Sequence, residues 1–141
     1  MSEALYQAEI VARARAGAVD SRLEPRDARA AVDNPLCGDR ITLDLRLADG
    51  NVAALGHRTR GCALCQASAE TLRSCVPGQT TDAARATRAR VQAYLGGAAL
   101  PPALSAYAAF APVRDYPSRH SCVLLPLDAL IEALAQAHAK R

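Results

Sequence analysis

Apolar and polar residues alternate along Ile41-Thr42-Leu43-Asp44-Leu45, the period-two pattern of a half-buried strand, and the pattern predicts a strand over 40–47. Ala48-Asp49-Gly50-Asn51 follows as a hairpin turn, and a second strand returns over 52–60. A shorter strand is expected over 29–32, ahead of the Asn34-Pro35 turn signal. On either side the period becomes helical. Leu5, Ile10 and Val11 mark an amphipathic helix over 3–16 that Gly17 can end. Small and apolar residues at 64, 67/68, 71/72 and 75 place a helix over 62–76, stopped by Pro77-Gly78. Thr81-Asp82 can cap another helix that runs to Gly96-Gly97. Pro101-Pro102 opens a shorter segment to about Phe110. Pro117-Ser118 opens the last helix, with Leu124, Leu127, Leu130/Ile131 and Leu134 on its buried face. There is no internal repeat. A small antiparallel sheet followed by a run of helices is an α+β layout, and 141 residues are expected to form a single domain over 1–141.

Composition narrows the core and the partners. Half of the residues are apolar, but alanine supplies much of that half, with no Trp and one Phe. Such a core is built of small aliphatic side chains and favours closely packed helices. No apolar run approaches the ~20 residues of a membrane span, and Met1-Ser2-Glu3-Ala4 lacks a basic region followed by an apolar one. The reading is a soluble, cytoplasmic protein without membrane contact. Net charge is +3; Lys140 is the only lysine, and the arginines are spread from Arg13 to Arg141. That distribution reads as a solvated surface, and no aromatic-interleaved stacking surface suggests nucleic acid. The five cysteines (37, 62, 65, 75 and 122) are an odd number, which argues for reduced thiols with metal or sulfur chemistry rather than a disulfide framework.

The hairpin brings some of those thiols together. If Asp49-Gly50 is a two-residue loop, Ala48 pairs with Asn51, and the same register carried down the ladder sets Cys37 opposite Cys62. A three-residue loop with a bulge shifts the pairing by one and matches Leu45 with Leu55 as an inward pair. In both registers the two thiols meet at the open end of the hairpin, where opposed residues lie ~4.5–5.5 Å apart at Cα. Asp39 hangs from the same mouth, and Gly38 lets the backbone turn there. Two thiols and a carboxylate look like three ligands of one metal. Cys62 follows Gly61 at a helix start, where unpaired N–H groups and the macrodipole stabilise a thiolate. Cys122, beside the helix start at Pro117–Ser121, is the candidate fourth ligand of a tetrahedral zinc site, if the tertiary fold brings it over the mouth.

Asn34-Pro35-Leu36-Cys37-Gly38-Asp39, then Gly61-Cys62 with Ala67-Ser68-Ala69, then Pro117-Ser118-Arg119 before Cys122, resembles the IscU/SufU/NifU-type iron–sulfur cluster assembly scaffold family. The match runs in order from about Asp33 to Leu134, and Leu5-Tyr6 resembles the family's N-terminal helix. The resemblance implies a three-stranded antiparallel sheet with an N-terminal helix and several C-terminal helices packed on it. It also implies that Cys37, Asp39, Cys62 and Cys122 hold zinc or a nascent iron–sulfur cluster of the 2Fe–2S type. A pyridoxal-phosphate cysteine desulfurase would supply sulfur, and downstream acceptor or carrier proteins would receive the cluster. The 60-residue gap from Cys62 to Cys122 and the Pro-Ser-Arg before Cys122 resemble the SufU branch. IscU-type members carry a histidine directly before the last cysteine, where this chain has Ser121, and a Leu-Pro-Pro-Val-Lys motif. Leu100-Pro101-Pro102 lies some twenty residues ahead of Cys122 and is read as a helix break.

Three features depart from the family pattern. Its His-Tyr-x-Asn-Pro-Arg-Asn stretch after the first helix has no counterpart in Arg13–Arg29. His57 stands where members usually have Phe, and is read as a hydrogen-bonded core histidine rather than a ligand. Cys65 is an extra thiol, either half of a redox pair or an alternate ligand, or else a small residue packed under the helix. Cys75, on the apolar stripe, is assigned to the core. Two functional readings stay open: a non-enzymatic scaffold with thiolates as soft ligands and Asp39 as the weak one, and a zinc-dependent sulfurtransferase. In the second, Cys122 takes persulfide sulfur and the protein activates the desulfurase. A purely structural zinc site fits less well, because such sites prefer all-Cys/His sets.

Overall fold

Ile41, Leu43 and Leu45 face inward from the central strand of a three-stranded antiparallel sheet in a computed structural model that describes residues 7–36 and 38–139. The strands β1 (Ala28–Asn34), β2 (Asp39–Ala48) and β3 (Asn51–Arg60) lie in the order β1-β2-β3. All three expected strands are present, and β1 is longer at both ends than its short alternation suggested.

The hairpin between β2 and β3 combines the two registers that were open. Asp49 and Gly50 both have positive φ, 54° and 80°, as a two-residue type I′ turn requires. Ala48 pairs with Asn51 and Leu47 with Val52. The register then shifts between Leu47 and Arg46, so that Arg46 pairs with Ala54, Leu45 with Leu55 and Arg40 with Arg60. A tight turn and a bulge therefore coexist. The shift brings Asp39 beside Gly61 and Cys62 at the open end, where its carboxylate accepts from the Cys62 N–H. Cys37 lies outside the described residues.

Alternation assigned the sheet's faces correctly but did not say what covers them. Asp44, expected on a solvated face, is fully buried. The segment after the first helix crosses over it: Leu23 N–H donates to Asp44 Oδ2 at 2.9 Å, and Arg29 grips both carboxylate oxygens at 2.6 and 2.9 Å. The inward face carries Thr59, His57 and Leu55 opposite Ile41, Leu43 and Leu45.

Among the described residues four α-helices accompany the sheet: α1 (Ala8–Gly17), α2 (Ala63–Cys75), α3 (Thr81–Leu95) and α4 (His120–Ala139). Within the described residues α1 starts later than position 3, because Gln7 is extended; Leu5 and Tyr6 lie outside them. Helix α3 is capped by Thr80, whose Oγ1 accepts from Ala83 N–H at 3.1 Å, and not by Thr81-Asp82. The segment opened by Pro102 is 3₁₀ in character and runs past Phe110 to Asp115, with a break at Leu104. A further 3₁₀ turn, Pro117–Arg119, leads into α4, so the last α-helix begins at His120 rather than at Pro117. Leu124, Leu127, Leu130 and Leu134 are buried on α4 as their spacing indicated. That helix packs on β1 and β2 and against α2 and α3. Arg13 ties α1 to the rest through Thr71 Oγ1 at 3.0 Å and the Ala106 carbonyl at 2.7 Å. Among the described residues no helix is long and apolar enough to cross a membrane.

Candidate metal centre

Asp39 opens β2, Cys62 is the N-cap of α2, and Cys122 lies in the first turn of α4. Each is therefore placed by the start of a different element. Gly38 precedes Asp39 with φ at +73°, and its N–H bonds the Asn34 carbonyl at 2.8 Å, closing the turn that leads into β2. Asn34 organises this loop further: its Oδ1 accepts from Leu36 N–H at 3.1 Å, and its Nδ2 donates to Ser121 Oγ at 3.2 Å, next to Cys122.

Asp39 and Cys122 are each 2% exposed, and Cys62 is half-buried. Cys62 N–H donates to Asp39 Oδ1 at 2.9 Å, which leaves Oδ2 facing the Cys62 sulfur at 3.4 Å. One ligand atom from each of Asp39, Cys62 and Cys122 lies within 4.8 Å of the other two. Donors sharing one zinc ion at bond lengths near 2.0–2.3 Å are roughly 3.5–4 Å apart, so the three need only close slightly around an ion. Two sulfurs and one oxygen form a donor set that suits zinc or iron.

The Cys62 thiol is brought down to about 7, chiefly because the Cys122 side chain hydrogen-bonds the thiolate; burial opposes this, and the Cys65 backbone N–H adds to it. The nearby Asp39 carboxylate pushes the other way. A substantial share of the Cys62 thiol is therefore ionised near neutral pH. That Cys65 N–H is what the first turn of α2 contributes. The Cys65 side chain itself is fully buried and stands outside the three-donor group. Cys75 is half-buried against the core, and burial pushes its thiol up to about 11. His120 lies near the site in sequence, but its Nε2 meets the Val113 carbonyl at 3.0 Å instead.

Gly61, quoted in the sequence only as the neighbour of Cys62, has a spatial role that no periodicity carries. Its φ is +156°, and an added Cβ would overlap the Asp39 carboxylate, 2.5 Å from Cγ and 2.8 Å from Cβ. The absence of a side chain at 61 lets the carboxylate reach the Cys62 backbone.

His57 is a core residue, as expected, but an incompletely satisfied one. It is fully buried; Nδ1 meets Thr59 Oγ1 at 2.8 Å, while Nε2 has no hydrogen-bond partner among the described residues and stands 3.5 Å from Glu70 Oε1. Burial holds its pKa below the ordinary imidazole value, with Glu70 partly opposing. Between that lowered value and about 6.5 the unfolded chain binds more protons than the folded one, so stability falls as pH drops through this window and levels off below it. Replacing His57 with Phe should flatten this dependence. Urea unfolding at pH 7.5 and 5.5 checks it: an equal loss in both proteins would mean that another group titrates.

The comparisons with known proteins bear on the family and the fold. A family profile described as the NifU-like N terminal domain matches residues 6–123. Two Archaeoglobus fulgidus proteins, iron–sulfur cluster assembly scaffold proteins IscU 1 and IscU 2, are each 31% identical over 77 residues, 54% of this chain and 50% of theirs. The chain spans about half the length of the curated relatives it matches. The crystal structure of the N-terminal part of a nitrogen-fixing NifU-like protein from Brucella abortus superposes with a TM-score of 0.87 at 33% identity, covering 99% of this chain and 98% of that one. A protein from Fervidobacterium islandicum AW-1, described as a candidate iron–sulfur cluster assembly scaffold for the SUF system, shares the fold with a TM-score of 0.84 at 24% identity, over 95% and 99% of the two chains. The matched profile covers most of the sequence and both structures reproduce its sheet and helices, so the chain belongs to the NifU-like N-terminal domain family, within the IscU/SufU/NifU group.

Proposed function

We propose that this protein is an iron–sulfur cluster assembly scaffold of the SufU branch, with Cys37, Asp39, Cys62 and Cys122 as its ligands. The observation that carries this reading is the convergence of Asp39, Cys62 and Cys122, from three separate segments, within 4.8 Å. Thiolates hold iron and sulfide as soft donors, and Asp39 is the harder ligand that leaves first when cargo moves on. Sulfur comes from a pyridoxal-phosphate cysteine desulfurase as a persulfide. Cys122 passes its proton to the Cys62 thiolate that it hydrogen-bonds and attacks the outer sulfur; the old S–S bond breaks, and the donor cysteine departs as a thiolate while Cys122 keeps the transferred sulfur. Downstream acceptor or carrier proteins then take the finished cluster.

A second reading is supported by the Cys62 thiol at about 7, whose thiolate can take the proton of the acceptor Cys122 without any cluster being built. In it the protein is a zinc-dependent sulfurtransferase that activates the desulfurase. Zinc at the same four residues would supply the charge that keeps their thiols ionised.

Metal analysis and a visible spectrum of anaerobically purified protein separate the two. Brown protein with iron and sulfide is expected for the scaffold, and colourless protein with about one zinc per chain for the acceptor. Protein that takes up neither metal would overturn both. Cys37→Ser should lower metal content and melting temperature together, because part of the local fold rests on the ion. Desulfurase activity should rise on adding the wild-type protein or Cys75→Ser, and should not rise with Cys122→Ser. Equal loss in the two variants would assign the effect to misfolding.

A further inference from the structure

Ser68 is fully buried in the middle of α2, between Ala67 and Ala69, where an apolar residue would pack without any need for a partner. Its hydroxyl donates to the Val123 carbonyl at 2.6 Å, one residue beyond Cys122 in the first turns of α4. Tyr107, also fully buried, donates its OH to the Ser68 carbonyl at 3.2 Å and lies 3.4 Å from Ser68 Oγ. Burial pushes the Tyr107 phenol well above its usual value, so it stays a neutral donor. Pro126 sits four residues after Cys122 and has no N–H to offer that residue's carbonyl, which weakens α4's own hold on its first turn. The tether from α2 acts at this point.

We infer that Ser68 is a positioning residue for the Cys62–Cys122 pair, with Tyr107 fixing Ser68 in turn. Cys62 caps the same helix six residues earlier, about 9 Å along a rigid element, and Cys122 adjoins the tethered carbonyl. Apolar contacts between α2 and α4 are non-directional and tolerate a small slide along the helix axis. A short hydrogen bond does not, because its geometry is lost within a few tenths of an ångström. The distance between the two sulfurs is therefore set through Ser68. This inference rests on the metal-centre reading above, but its consequence for the sulfurs is independent of any metal.

The test compares Ser68→Ala and Tyr107→Phe with Thr71→Val. Thr71 lies one turn further along α2, is equally buried, and bonds Arg13 of α1 rather than α4. The first readout is metal-free: the rate at which a bifunctional thiol reagent bridges Cys62 to Cys122, localised by peptide mass spectrometry. It should fall several-fold in Ser68→Ala and less in Tyr107→Phe, and stay at the wild-type value in Thr71→Val. The second is cobalt(II) binding, where Ser68→Ala should weaken affinity roughly tenfold and alter the ligand-field spectrum. Wild-type bridging and cobalt spectra in Ser68→Ala, whatever its melting temperature, would overturn the inference. So would an equal change in Thr71→Val. If Ser68→Ala does not fold, Tyr107→Phe decides in the same way, since it keeps the ring and removes only the hydroxyl. Should the wild-type protein bind no cobalt while the bridging rates still separate, the metal-centre reading fails and the positioning role stands.

Discussion

Gly61→Ala should yield a protein that retains almost no metal and unfolds markedly earlier than the wild type. The new methyl would occupy the space of the Asp39 carboxylate, so the carboxylate must swing out and release the Cys62 N–H. The variant loses a charge-assisted hydrogen bond, strains the backbone at φ +156°, and moves one proposed ligand away from the other two. Together these cost on the order of 3 kcal/mol of folding stability. Gly78→Ala provides the control. Gly78 also has a positive φ, +95°, but nothing stands within 4 Å of an added Cβ. It should cost only about 1–2 kcal/mol of backbone strain and leave metal content unchanged. Melting curves and metal stoichiometry on the three proteins check this. Full metal occupancy in Gly61→Ala would show that Asp39 is not held to the site through that contact.

Exchanging Asp39 should separate a site that lets its cargo go from one that keeps it. A carboxylate binds a borderline-soft metal less firmly than a thiolate does. In this fold the two oxygens divide the work: Oδ1 is tied to the Cys62 N–H, and Oδ2 faces the sulfur side, where an ion would sit. Asp39→Cys replaces the weak donor with a strong one, so metal should resist a chelator far longer and sulfur acceptance should stop. The same variant gives up the bond to the Cys62 N–H, so the metal-free protein should be about 1–3 kcal/mol less stable while the metal-bound protein is not. Asp39→Ala loses both functions and should hold metal loosely. Chelator-release rates and sulfur uptake from a desulfurase measure the contrast. Asp39→Cys that releases metal and accepts sulfur at the wild-type rates would remove Asp39 as the labile ligand.

Local pattern was enough for much of this fold. Alternation at 41–45 located the central strand, and Asp49-Gly50 located the turn, because both depend only on backbone preferences a few residues wide. The leucines of α4 and the small residues of α2 showed their buried faces through the helical repeat. The motif residues Asp39, Cys62 and Cys122 could be chosen by chemistry and order, with Cys62 visibly at a helix start where a thiolate is favoured.

What lay beyond reach depends on neighbours distant in the chain. A bulge between Arg46 and Leu47 is one residue of slack, and a ladder with either register has the same local propensities; the inward match of Leu45 to Leu55 decides it only once helices cover that face. The burial of Asp44 follows from a segment that folds over it from twenty residues away. Buried His57 is short of one hydrogen bond because α2 sets Glu70 at 3.5 Å, a distance that no spacing encodes. Cys122 meets Cys62 through the packing of α4 on α2, and Ser68 reads in sequence as one more small residue on an apolar stripe. Periodicity reports which face of an element is buried, whereas hydrogen-bond geometry across 55 residues of separation exists only after the elements have packed.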